Sequence, residues 1–193
     1  MITQLKGKVV EVTPAYVVID CNGVGYMAHI SLNTFTVIKD RSESLIYTQF
    51  IVREDAHLLY GFADKHEREI FVLLVSVSGI GAATARMILS SLTPEEIRSA
   101  IATGDVRKFK AVKGVGEKSA QRIIIDLKDK VGLVSESTML SGGSMSVQAE
   151  AAAALSALGF SKPQADKALS SALKEPGAND SVEKLIKLSL KFL

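Results

Sequence analysis

A chain of 193 residues, 47% of them hydrophobic, has enough apolar material for real cores in one large or several small domains. A single cysteine, Cys21, excludes an internal disulfide framework and a cysteine-based zinc site, and His29, His57 and His66 stand without ligand spacing. The net charge of +2 does not mark a nucleic-acid binder by itself, but residues 64–133 hold 12 Lys/Arg against 9 Asp/Glu while the flanking segments lack that excess.

The first sixty or so residues have strand character. Val9–Val12 and Tyr16–Ile19 are β-branched runs separated by Thr13-Pro14-Ala15. Cys21-Asn22-Gly23 signals a turn into Gly25–Ile30, and Leu45–Val52 and His57–Phe62 complete the set. So many short strands in so little chain predict a small closed barrel of the OB type over 1–63, because closure removes sheet edges.

At Asp64 the period changes. Ile70, Phe71, Leu73, Leu74 and Val77 fall on one face of a helix over Lys65–Ser76, and a second helix is predicted over Ala82–Leu92. Thr93-Pro94-Glu95-Glu96 is a start signal with Thr93 as N-cap and Glu96 closing a capping box. A short helix at 105–112 and a long one over Glu117–Val131 complete an all-helical domain over 64–132. The Ser/Gly-rich stretch 133–146 predicts a linker. Beyond it Val147–Leu158, Pro163–Leu173 and Ser181–Phe192, divided by Gly159 and Pro176-Gly177, predict a three-helix bundle over 147–193. The fold class is α+β, multidomain.

Two stretches of the helical domain nearly repeat one another. Val77-Ser78-Gly79-Ile80-Gly81-Ala82-Ala83 aligns with Val112-Lys113-Gly114-Val115-Gly116-Glu117-Lys118, and Ile88 and Leu92 align with Ile123 and Leu127. Each copy reads as helix, tight Gly-x-Gly turn, helix. One such turn alone is explained by glycine's tolerance of positive φ between packed helices. Duplication in one apolar frame, with Lys118 and Arg122 after the second copy, points instead to phosphates held at helix N-termini.

Competing glycine motifs fail. A dinucleotide fingerprint needs a preceding strand and Gly or Ala where Thr84 and Ser119 stand, and a P-loop needs Gly-Lys-Ser/Thr, which Glu117 interrupts. No ATP, NAD, metal or other cofactor is expected, and no catalytic residue is assigned. A helix-hairpin-helix nuclease or glycosylase would need a carboxylate cluster or a catalytic Lys/Asp set. Asp126, Lys128 and Asp129 are the candidates, and they read better as solvated charge. With no apolar run long enough to span a bilayer, the expectation is a soluble cytoplasmic protein.

The tandem hairpins after a barrel, the linker and the small tail together resemble the RuvA family, the Holliday junction-binding subunits of the bacterial branch-migration complex. Val52–Phe62 and Met1–Tyr26, with Gly23-Val24-Gly25-Tyr26, carry the resemblance most closely. It implies a homotetramer, or an octamer on DNA, holding an open four-way junction. DNA contacts would come from Gly79, Ile80, Gly81, Ala82, Ala83 and Arg86 of the first hairpin and Gly114, Val115, Gly116, Lys118, Ser119 and Arg122 of the second. Glu54 and Asp55, by themselves a solvated turn, match the family's acidic pin. The tail, with Leu155, Leu158 and Phe160 as candidate contacts, would meet the hexameric ATPase RuvB, and the resolvase RuvC would share the junction. The Leu-Gly-Phe turn at 158–160 is similar to that of ubiquitin-associated-type domains, whose three-helix core also needs apolar residues. Two departures stand out: Ala82-Ala83 where the family often has a basic residue, and Glu117 directly before Lys118.

Overall fold

The computed structural model describes residues 1–139, 147–175 and 181–193, in two compact units, Met1–Val134 and Ser135–Leu193. In the first unit β1 (Gln4–Val12), β2 (Tyr16–Cys21), β3 (Val24–Ile30), β4 (Glu43–Val52) and β5 (His57–Phe62) close a barrel in the order β1-β2-β3-β5-β4. All pairings are antiparallel except β3 with β5. Burial alternates with the strand period, so Val17 and Ile19 of β2 point inward while Tyr16 and Val18 are half-buried. Leu5, Ala28, Ile30, Ile46 and Leu59 fill the interior with them.

A short helix, α1 (Leu32–Ile38), lies between β3 and β4, in a stretch with no predicted element. It is seven residues long and rich in β-branched types, so neither length nor periodicity announces it. Ser31 caps it by accepting from the Thr34 N–H at 3.0 Å, and Ile38 packs into the barrel core.

The helices α2 (Lys65–Val75), α3 (Ala82–Ser91), α4 (Pro94–Thr103), α5 (Val106–Lys110) and α6 (Glu117–Met139) follow. Thr93 and Glu96 form the expected capping box, which holds the Glu96 carboxyl below its ordinary range through the Thr93 N–H. Gly104 ends α4 in the left-handed region. The helix α6 runs to Met139, eight positions beyond the expected Val131, so the first part of the expected linker is helical; residues 140–146 lie outside those described. Single Gly or Ser residues cost a helix only about 0.5–1 kcal/mol each, too little to fix its end from composition.

The barrel and the helices after it fall in one compact unit. The reason is β5. Leu59 belongs to the barrel interior, whereas Tyr60 and Phe62 belong to the helical core with Phe71, Leu74, Ile88, Phe109 and Ile123. Phe71 of α2 packs against both, with ring centroids at 5.0 Å from Tyr60 and 4.9 Å from Phe62.

The second unit contains α7 (Val147–Ala157), α8 (Lys162–Ala172) and α9 (Val182–Ser189), around Ala151, Leu155, Ala165, Leu169, Ala172 and Leu185. Gly159 has φ of 100° at the break after α7, and Gln164 accepts from the Ser161 N–H at the start of α8. The expected break at Pro176-Gly177 lies outside the described residues.

Candidate nucleic-acid interface

The two hairpins match bond for bond. In the first, the Val77 N–H donates to the Leu74 carbonyl, Ile80 N–H to Val77, and Ala85 N–H to Gly81. In the second, Val112 N–H donates to Phe109, Val115 N–H to Val112, and Ala120 N–H to Gly116. Gly79 and Gly114 take φ of 88° and 89°, a left-handed turn that any side chain would strain.

Gly81 and Gly116 differ from these. Neither has positive φ, and a Cβ at either would meet nothing within 4 Å. The chain's own packing therefore does not need glycine there. What glycine provides is open approach to the helix start behind it. Gly81 caps α3 without a side-chain hydrogen bond, and α3 and α6 begin their internal ladders only at Ala85 and Ala120. The N–H groups of Ala82, Ala83 and Thr84, and of Glu117, Lys118 and Ser119, are those a helix leaves without internal partners. Ala83, Glu117 and Lys118 are exposed, with Ala82, Thr84 and Ser119 half-buried.

Three of the expected contacts are engaged within the protein itself. Ile80 and Val115 are 4% and 6% exposed, and their N–H groups are spent inside the turn. They anchor each hairpin in the core and present nothing outward. Arg86 was expected to serve as the first hairpin's cation, yet its Nη1 donates to the carbonyls of Ala15 at 2.9 Å and Ile30 at 3.4 Å, across to the barrel.

Charge is therefore unequal between the hairpins. At the second, Lys113, Lys118 and Arg122 are exposed, and Glu117 is paired with Lys110 at 2.9 Å. Lys113 occupies the position of Ser78 in the first copy, and neither it nor Lys110 was singled out from the sequence. Their place beside the turn was the available signal. Arg122 also donates from Nη1 to the Ser78 carbonyl at 3.3 Å, tying the second hairpin's helix to the first hairpin's turn.

Glu54 and Asp55 occupy the exposed turn between β4 and β5, closed by the Arg53 N–H donating to Ala56 at 2.8 Å. Arg53 Nε lies 3.2 Å from Asp55 Oδ1, an exposed pair that contributes little to stability. In the tail, Leu155 is fully buried and belongs to the bundle core, which removes it as a partner contact. Phe160 is half-buried against the same core, and Leu158 is 61% exposed. Leu190, Phe192 and Leu193 are exposed too, which the helical pattern alone did not reveal. Asp126 and Lys128 are exposed on α6, and the Asp129 side chain lies outside the described ones. Among the described residues no three His, Cys, Asp or Glu come together as a metal site, and no helix is long and apolar enough to cross a membrane.

An OB-type barrel joined through β5 to a helical core that carries two matching Gly-x-Gly hairpins defines a tandem helix-hairpin-helix protein. Family models agree: residues 1–61 match the RuvA N terminal domain, 71–129 the SAM-like helix-hairpin-helix tandem, and 146–193 the RuvA C-terminal domain. Proteins named Holliday junction branch migration complex subunit RuvA are similar over the whole of both chains. Those from Bacteroides thetaiotaomicron, Christiangramia forsetii and Porphyromonas gingivalis are 51%, 50% and 45% identical. The chain belongs to the RuvA family.

Proposed function

We propose that this chain binds four-way DNA junctions as a homotetramer, alone or as a face-to-face pair of tetramers, and recruits a RuvB-type hexameric ATPase that drives branch migration. The observation that carries the proposal is the pair of exposed helix starts behind Gly81 and Gly116, where glycine serves approach rather than packing. Phosphates would be gripped at Gly79, Gly81, Ala82 and Ala83, and at Gly114, Gly116 and Ser119, with Lys118 and Arg122 adding charge to the second site. Such contacts see the backbone and carry no base information, so selectivity comes from junction shape. A RuvC-type resolvase would act on the same opened junction.

Gel shifts of a four-way junction and a linear duplex in excess competitor test this. The junction is expected to bind more tightly, with affinity falling steeply as salt rises. Equal affinity would reduce the chain to a general duplex binder, and cleavage of branched DNA in magnesium would make it a nuclease.

Glu54 and Asp55 from four subunits would surround the crossover and repel its phosphates. Two unit charges at 10 Å interact by only ~0.4 kcal/mol in water, so the effect depends on their number. The Glu54→Gln/Asp55→Asn double variant is expected to change migration rate more than junction affinity. Strand-exchange assays beside gel shifts would show whether the two move together instead.

The tail would meet the ATPase through Leu158 and Phe160. Leu158→Asp is expected to leave the bundle folded, since the side chain is exposed, and to abolish ATPase co-purification with junction binding intact. Retained co-purification would place the contact elsewhere.

A further inference from the structure

The family resemblance implies Arg86 as a DNA contact, and in the structure its guanidinium is bonded to the barrel. Arg86 projects from α3, the helix that starts at the first hairpin, and reaches the Ala15 carbonyl between β1 and β2 and the Ile30 carbonyl at the end of β3. It does not act alone. Asn33 of α1 donates from Nδ2 to the carbonyls of Leu89 at 2.7 Å and Leu92 at 3.1 Å, completing the last turn of α3. The Leu32 N–H donates to Ser90 Oγ at 3.1 Å. The middle and C-terminal end of α3 are thus strapped to the barrel by three polar links, none of which the apolar packing requires. The nearby His29 imidazole is pushed toward its neutral form by burial and then by the Arg86 charge.

The straps join two things that the proposed function needs in register: the barrel, which carries the Glu54-Asp55 turn, and α3, whose N-terminus is the first hairpin's phosphate site. A linear duplex engages a hairpin without reference to the turn at the crossover. A four-way junction must satisfy both at once. We propose that Asn33 and Arg86 are positioning residues that fix the first hairpin relative to the barrel's acidic turn, and so confer preference for junction over duplex without contacting DNA. The inference rests on the junction reading above and deepens it.

The two roles open to Arg86 separate in the full-length chain. Arg86→Met and Asn33→Ala would each be titrated on a four-way junction and a linear duplex over a salt series, with thermal melts alongside. Positioning predicts duplex affinity within about twofold of wild type, an unchanged salt slope, and junction preference reduced about tenfold in both variants. Combining them should cost less than the product of the two, because both straps restrain one motion. A phosphate contact predicts instead that Arg86→Met weakens both DNAs alike and lowers the salt slope by about one, with Asn33→Ala indistinguishable from wild type. That result overturns the proposal, as does unchanged junction preference in both variants. Ser90→Ala, which removes the Leu32 strap together with the Ser90 hydroxyl's bond to the Arg86 carbonyl within α3, is the milder substitute if either larger change lowers the melting temperature, and a smaller loss of preference is expected from it. A wild-type chain with no junction preference would instead defeat the underlying function.

Discussion

Replacing Gly81 and Gly116 together by valine is expected to remove tight DNA binding while leaving the fold in place. Neither position has a left-handed backbone, and a Cβ at either meets no neighbour within 4 Å, so a side chain begins in open space. Each substitution costs the helix start about 1 kcal/mol, since valine is a poorer N-cap than glycine. For a chain of this size that lowers the melting temperature by roughly 2–4 °C per site. Binding should suffer far more. A charge-assisted hydrogen bond from a helix N–H to phosphate contributes about 1.5–3 kcal/mol, so shielding one N-terminus should weaken binding by at least tenfold. Gel shifts with melts of the same samples check the pair of effects. Unchanged affinity would show that DNA does not approach through these turns.

The second large effect concerns stability. Glu67 of α2 is 2% exposed, and its carboxylate accepts from the Ser31 hydroxyl, the Thr34 hydroxyl at 2.5 Å and the Ala63 N–H at 3.3 Å. It joins the start of α1, the end of β5 and the first turn of α2. Glu67→Ala leaves those donors buried and opens a cavity, and is expected to cost about 3 kcal/mol or more. That is a large fraction of the stability of an ordinary domain.

The same group gives stability a pH dependence. Burial pushes the Glu67 carboxyl up, the hydrogen bonds from Ser31, Thr34 and Ala63 pull it down, and Asp64 pushes up again; burial prevails. The native state therefore holds this proton more tightly than the unfolded chain does. The stability that results is complete below the ordinary carboxylate range and is lost as pH rises through the raised native value. Urea unfolding at stepped pH should show wild type losing stability relative to Glu67→Gln as pH increases across that window. A difference moving in wild type's favour with rising pH would mean a lowered carboxyl and contradict the assignment.

Much of this was legible in the residues. Strand periodicity and the Asn22-Gly23 turn located the barrel, and the repeated Gly-x-Gly frame located both hairpins with their boundaries nearly right. The repeat could not say which way each residue faces. Ile80 and Val115 share the motif with the glycines, yet a one-residue step on a tight turn carries them into the core. Arg86 is implied by the resemblance as the cation nearest the first hairpin, and no sequence pattern encodes carbonyls of Ala15 and Ile30 that lie far away along the chain. Leu155 and Leu158 are both leucines in the same stretch, separated only by the rotation of α7 and its ending. The helix α1 escaped notice because tertiary contacts, through Ser31 and Ile38, hold a segment too short to declare itself.

The strand β5 carries a consequence for anyone who would excise the barrel as an autonomous piece. A fragment ending at Ala63 would keep all five strands but strip Tyr60 and Phe62 of Phe71 and the rest of the helical core. Exposing two aromatic side chains forfeits about 3–6 kcal/mol, comparable with the whole margin of a domain so small. The barrel is thus not a detachable cartridge: it borrows part of its solidity from the helices packed against β5.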